Sequence, residues 1–348
     1  MLVRTGSRLI WRASLGLVCF SLWSVTGGLW GGLPVSALAQ SGAATAGAET
    51  PAEERPARQT AAMMRRLQRR LTAFKGKVFC FAKNLDTGET FGYNPDARVR
   101  TASTIKVPIM VEVFAQVAEG KLRWDDKLTV IRRHEYEDGG VLFELTPGTQ
   151  ITVRDAVRLM IVVSDNIATN ILLDRITTDA VNDRLAKMGF EHIRSLRKIA
   201  GGGESTFRES NLEENKKYGI GVATSREMVR LLEGLERGTM VSPEASREML
   251  AIMKRQQYRD GIGRRLRGVE VANKPGALDH LRSDIGIVYT KHGRIAMAIT
   301  VEDIPVVDYC SEAEGHLLIA DIVDLLLEGL AAPASPAERR AERKPPSR

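Results

Sequence analysis

The chain has 348 residues, 43% of them hydrophobic and 27% charged, with a formal net charge of +7. That composition is ordinary for a globular protein and excludes a collagenous or low-complexity chain. Much of the positive excess sits at the two ends, at Arg4, Arg8 and Arg12 and again at Arg339, Arg340, Arg343, Lys344 and Arg348; no basic stripe is interleaved with aromatics, so no nucleic-acid partner is expected.

Residues 1–39 read as a signal peptide of the Sec type. Three early arginines precede a mostly apolar run from Leu15 to Leu33, and the small residues Ala37 and Ala39 predict cleavage before Gln40. The competing reading is an uncleaved anchor, which Gly27, Gly28, Gly31, Gly32 and Pro34 weaken. The expected location is periplasmic or secreted, with no membrane attachment after cleavage. Residues 40–58, rich in Ala, Gly, Glu, Thr and Pro, read as a flexible linker. Residues 332–348 carry Pro333, Pro336, Pro345 and Pro346 among mixed charges and read as a disordered basic tail.

Between them, 59–331 reads as one folded domain. A helix is expected over Gln59–Phe74, then strands over 77–83 and 89–93 joined by the turn Asn84-Leu85-Asp86-Thr87-Gly88. From about residue 102 to 265 the pattern is mostly helical. Val153–Val163, Ile167–Ile176 and Ala223–Leu235 are helix-compatible stretches, the last capped by Thr224 or Ser225 with Glu227 in its first turn. Strand composition returns at 269–274, 285–290 and 295–301, the last two joined by the turn Lys291-His292-Gly293-Arg294. A helix closes the domain over 311–330. Strands at both ends with helices between them predict an α/β (α+β) fold: one antiparallel five-stranded sheet flanked by helices, with an inserted all-helical subdomain. The sheet lobe is 59–100 with 267–331, and the helical lobe is 101–266. The cleft between lobes is the natural place for a site. Cys19 leaves with the signal, and Cys80 and Cys310 either pair in an oxidising compartment or remain separate thiols.

The chemistry-bearing residues fall into three short patterns. Ser103 and Lys106, in Thr101-Ala102-Ser103-Thr104-Ile105-Lys106, share one face at a helix start. A serine hydroxyl needs a base to become a nucleophile, and a lysine amine serves if burial and neighbouring cations lower its pKa. The helix N-terminus adds backbone N–H groups for a developing oxyanion. A second Ser-x-x-Lys, Ser195 to Lys198, has no assigned role. Ser164-Asp165-Asn166 follows an apolar run and reads either as a helix cap or as a polar cluster in the cleft. Lys274-Pro275-Gly276 ends a strand and reads either as a turn or as a cleft cation. His134, His192, His280, His292 and His316 show no metal-ligand spacing, and no metal or organic cofactor is expected. His280, Arg282 and Arg294 are either loop residues or cleft contacts.

Ser-x-x-Lys at a helix start, then Ser-Asp-Asn, then Lys-x-Gly on a late strand is the pattern of penicillin-binding proteins and class A β-lactamases. From about residue 60 to 330 the chain resembles the class A β-lactamase family as a divergent member. The helix around Met160–Leu173 and the strand pair 284–301 resemble the corresponding family elements. The resemblance implies a small-molecule β-lactam or peptidoglycan-like peptide as substrate. It also implies residue roles. Ser103 is acylated, Lys106 assists proton removal, and Ser164 passes a proton to the leaving nitrogen. Asn166 contacts the acylamide side chain. Lys274 supplies positive charge for Ser164 and a substrate carboxylate, and Gly276 and Ala277 lie at the substrate edge, with the N–H groups of Ser103 and Ala277 as oxyanion hole. Asp165 is expected to be a structural cap.

Two departures stand out. Pro275 replaces a hydroxyl residue between Lys274 and Gly276. The Glu-x-x-Leu-Asn segment whose Glu activates the deacylating water is matched only by Glu209 and Leu212, with Glu213 in place of the Asn; Glu204 and Glu214 are weaker candidates. The function expected from the three motifs is a monomeric serine β-lactamase. The alternatives are a D-Ala-D-Ala peptidase or related amidase or esterase with slow deacylation, and a non-catalytic binding or sensor domain.

Overall fold

A computed structural model describes residues 51–131, 140–207 and 213–331, with side chains from residue 60 onward. The expected signal peptide, the start of the linker, the tail 332–348 and Glu209 lie outside the described residues.

The first helix, α1, spans Pro51–Leu71, so residues 51–58 are helical and not linker as their composition had suggested. Ala, Glu and Arg are strong helix formers, and Pro51 sits at the first helical position, where a missing N–H costs nothing. Strands β1 (Lys77–Asn84), β2 (Thr90–Tyr93) and β3 (Arg98–Arg100) follow. A 3₁₀ turn at Ala102–Ile105 leads into α2 (Lys106–Ala118). The helical lobe continues with β4 (Lys127–Thr129), β5 (Gln150–Thr152), α3 (Val153–Val162), α4 (Asn166–Ile176) and α5 (Thr178–Lys187). Next come β6 (Arg194–Ser195), β7 (Gly221–Thr224), α6 (Ser225–Glu236) and α7 (Pro243–Met253). The chain returns to the sheet with β8 (Glu270–Leu278), β9 (Leu281–Thr290) and β10 (Gly293–Glu302), and ends on α8 (Glu314–Leu330).

The main sheet has the order β2-β1-β10-β9-β8, all neighbours antiparallel, so both ends of the chain build it, as the order of elements predicts. Alternate residues of β1 serve two cores, as a period of two requires. Val78, Cys80 and Ala82 join a cluster with Met63 and Leu67 of α1 and Ile322 and Leu326 of α8. Phe81 joins the cluster of the helical lobe, with Val111, Met228 and Leu232. Each such fully buried aliphatic side chain contributes about 1.5–3 kcal/mol. Salt links Arg70–Asp321 and Lys83–Glu233 tie α1 to α8 and β1 to α6.

Several short strands escape the sequence pattern: β3, β6 and β7 form one small sheet and β4–β5 another. Runs of two to four residues carry no legible alternation. Cys80 is buried in β1, where desolvation raises its thiol pKa to about 12, and Cys310 is exposed before α8; both are free, so the two cysteines do not pair.

Candidate active site

The nucleophile turn is held from two sides. Thr101 N–H donates to Gly221 O of β7 at 3.0 Å, and Thr104 Oγ1 donates to Thr101 O at 2.8 Å. Ala102, just before Ser103, has φ of +47°, and Ser164 has φ of +57°. A residue with a Cβ pays about 1–2 kcal/mol in this left-handed region, so both turns are fixed by their surroundings. Among the described residues Ser103 Oγ has no hydrogen-bond partner.

The edge strand β8 lies against that turn. A Cβ on Gly276 would stand 2.9 Å from Ser103 N and 3.0 Å from Thr101 O, so only glycine allows the approach. The hairpin between Leu278 and Leu281 fixes the ladder alternation: Leu278↔Leu281, Gly276↔Ser283 and Lys274↔Ile285 share one parity, Pro275 and Ala277 the other. The backbone groups of 275 and 277 therefore face away from β9, toward the cleft. This explains why Pro275 is tolerated mid-strand: its missing donor has no ladder partner to lose. It also leaves the Ala277 N–H free of the β9 ladder, on the cleft that Ser103 lines. The strand does not end at Lys274, as its Pro and Gly had suggested, but runs on to Leu278.

Asp165 is structural. Its Oδ1 accepts from Ala168 N at 2.8 Å, capping α4. Its Oδ2 accepts from Val141 N at 2.7 Å and Leu142 N at 2.8 Å. Gly140 packs so closely that a Cβ would fall 2.1 Å from that oxygen. Asp165 thus pins the Ser164 turn to the preceding loop.

Two lysines converge on Ser164, and both are fully buried. Lys106 Nζ lies 2.7 Å from Ser164 O, 2.8 Å from Asn166 Oδ1 and 3.2 Å from Ser164 Oγ. Lys274 Nζ donates to Ser164 Oγ at 2.9 Å and to Pro275 O at 2.7 Å. Burial holds Lys106 well below the ordinary lysine range, the positive Lys274 lowers it further, and Asp165 opposes. Burial brings Lys274 down to about 7, against the pull of Asp284. Asp284, itself buried, is raised to about 6. A neutral Lys106 amine has two N–H donors and one lone pair. The donors match the two short contacts, to Ser164 O and Asn166 Oδ1. The lone pair is left for a hydroxyl proton.

Ser103, Ser164, Asn166, Gly276 and Ala277 line a cleft of about 260 Å³, with Lys106 and Lys274 beneath it. The structure thus brings together every expected site residue that lies among the described residues. The weaker carboxylate candidates point elsewhere: Glu204 is exposed and accepts from Gly202 N, and Glu214 pairs with Arg98 on the surface. Glu213 pairs with Lys216 and is also exposed. His280 is a loop residue bonded to Ile304 O, and Arg294 is committed to Asp86 and Glu236. The second Ser-x-x-Lys is structural, with Lys198 paired to Asp174.

The cleft is also lined by residues that sequence reasoning missed: Tyr258, Asp260, Tyr309 and His316. They come from the α7–β8 loop, the β10–α8 loop and the first turn of α8. No motif or periodicity links them.

A serine at a helix start, a buried lysine one turn on and a serine bridging two lysines, set between a sheet and a helical lobe, define a β-lactamase/transpeptidase-type protein. The profile described as the β-lactamase enzyme family matches residues 62–330. The chain belongs to that family, as a divergent class A-like member. Among curated proteins, β-lactamase SME-1 of Serratia marcescens is 28% identical over 114 residues, a match spanning 33% of this chain and 38% of that relative's length. Among solved structures, a β-lactamase from Sphaerobacter thermophilus is 30% identical, with a TM-score of 0.64, covering 80% of this chain and 98% of its own. A PBP-A variant, solved as an acyl-enzyme complex with penicillin G, is 25% identical with a TM-score of 0.65, covering 77% and 96%.

Proposed function

We propose that this chain is an exported serine hydrolase that opens β-lactams through an acyl-enzyme on Ser103. The observation that carries the reading is Ser164 Oγ held between Lys106 Nζ at 3.2 Å and Lys274 Nζ at 2.9 Å, on the cleft that Ser103 also lines. Neutral Lys106 takes the Ser103 proton as Oγ bonds to the lactam carbonyl carbon. The developing oxyanion meets the N–H groups of Ser103 and Ala277. When the C–N bond breaks, Ser164 protonates the leaving nitrogen and is reprotonated from the lysines on either side. Water then cleaves the Ser103 ester and returns the hydroxyl proton.

A second reading is a penicillin-binding peptidase or esterase with slow release of the acyl group. The observation favouring it is that Glu204, Glu213 and Glu214 are all exposed and engaged away from the cleft. The test is a time course of intact mass with benzylpenicillin, with Ser103→Ala as control. An adduct on Ser103 that forms and clears supports the hydrolase, and one that persists supports the second reading. No adduct at all overturns both.

A further inference from the structure

Beside the cleft, next to β8, lies a hidden cation. Arg282 of β9 is 1% exposed. Its guanidinium donates from one terminal nitrogen to Leu278 O at 2.6 Å and Leu281 O at 2.7 Å, and from the other to Asp308 O. The Tyr309 ring lies over it, 4.4 Å from Cζ to centroid. That ring lines the cleft and is 58% exposed, and its hydroxyl donates to Asp279 Oδ1 at 2.9 Å.

What the cleft offers a ligand follows from these positions. Beyond Ser103 the cleft is lined by Pro275, Tyr258, Tyr309, His316 and the half-buried Asp260. Burial lowers the His316 pKa, and neighbouring Arg282 lowers it further, so His316 brings no fixed charge at neutral pH.

We propose that Tyr309 is a specificity-determining residue: by covering Arg282 it gives the cleft a ring-lined wall that accepts neutral, flat substrate groups in place of carboxylates. Removing the ring opens a path from the cleft to a guanidinium that is already charged and already anchored. The inference rests on the acyl-enzyme reading above.

The test compares benzylpenicillin with its methyl ester, which differ by one negative charge, as labels of Ser103. The wild-type ratio of the two labelling rates, which includes any pull of Lys274, is the reference. Tyr309→Ser shifts the ratio toward the acid by about tenfold, the scale of one partly screened charge contact. Tyr309→Phe, which keeps the ring over Arg282, keeps the wild-type ratio. Any charge on Lys274 acts equally in all three proteins and cancels from the comparison. An unchanged ratio in Tyr309→Ser overturns the proposal even if both rates fall, because a merely structural loss slows both labels alike. A wild-type preference for the acid beyond about a hundredfold also overturns it. Failure of both labels on every protein would instead strike the acyl-enzyme reading and take the inference with it.

Discussion

Two buried-cation regions lie on either side of one strand pair, and they are built to opposite ends. Beneath the cleft, Lys106 and Lys274 share the Ser164 hydroxyl. Beside the cleft, Arg282 is wrapped by three backbone carbonyls and roofed by a tyrosine ring. All three side chains are almost completely buried. The difference is in their partners. Carbonyls cannot take or give a proton, so Arg282 stays a fixed structural charge. A hydroxyl can do both, and a lysine whose pKa is drawn toward 7 can exchange with it. Burial alone therefore does not distinguish the two regions; the exchangeable proton of the partner does.

The sharpest way to break that comparison is to remove one cation from each region. Lys274→Met is expected to slow acylation by about a thousandfold, because Ser164 loses its charged donor. It is also expected to stabilise the fold at pH 7. Drawing a lysine from 10.5 to about 7 costs the folded state roughly 4 kcal/mol, and lost hydrogen bonds to Ser164 and Pro275 leave a net gain of about 2 kcal/mol. The pKa is depressed on folding, so between about 7 and 10.5 the unfolded chain binds the extra proton. The penalty is complete below pH 7 and disappears as pH rises toward 10.5, and the advantage of Lys274→Met in denaturant titrations follows the same course. Arg282→Met is expected to act the other way, destabilising by about 3 kcal/mol because three carbonyls, one buried and two half-buried, lose their donor. Equal signs for the two variants would contradict the distinction. A smaller effect belongs to the frame around the site. Gly276→Ala pushes a methyl group against Ser103 N and is expected to slow acylation about a hundredfold. Its stability is expected to fall by about 1–3 kcal/mol, because the clash is with backbone atoms.

Much of this was legible in the chain itself. The strand runs near 77–93 and 269–301 predicted a sheet built from both ends, and the ladders confirm it. Ser103, Lys106, Ser164, Asn166, Lys274, Gly276 and Ala277 were identifiable because their spacing is local within each motif, and the fold brings the motifs together. Other features had no local signal. Pro275 and Gly276 read as a strand end, yet β8 continues through them because it is an edge strand whose residue 275 needs no ladder donor. Residues 51–58 read as linker from their Pro and small residues, although their Ala, Glu and Arg favour helix. Tyr258, Asp260, Tyr309 and His316 reach the cleft from two loops and a helix start, a juxtaposition that only the tertiary fold creates. Arg282 looked like a loop residue near the cleft and is instead sealed within it by Tyr309.

The central claim is that the two site lysines are deprotonated far more readily than ordinary lysines, and that Lys106 is the neutral base. NMR titration of the two ε-amino groups, assigned with Lys106→Arg and Lys274→Arg, reads this directly. The account predicts a midpoint near 7 for Lys274 and a strongly lowered one for Lys106, with both groups coupled. Two midpoints near the ordinary lysine value of about 10.4 would contradict it.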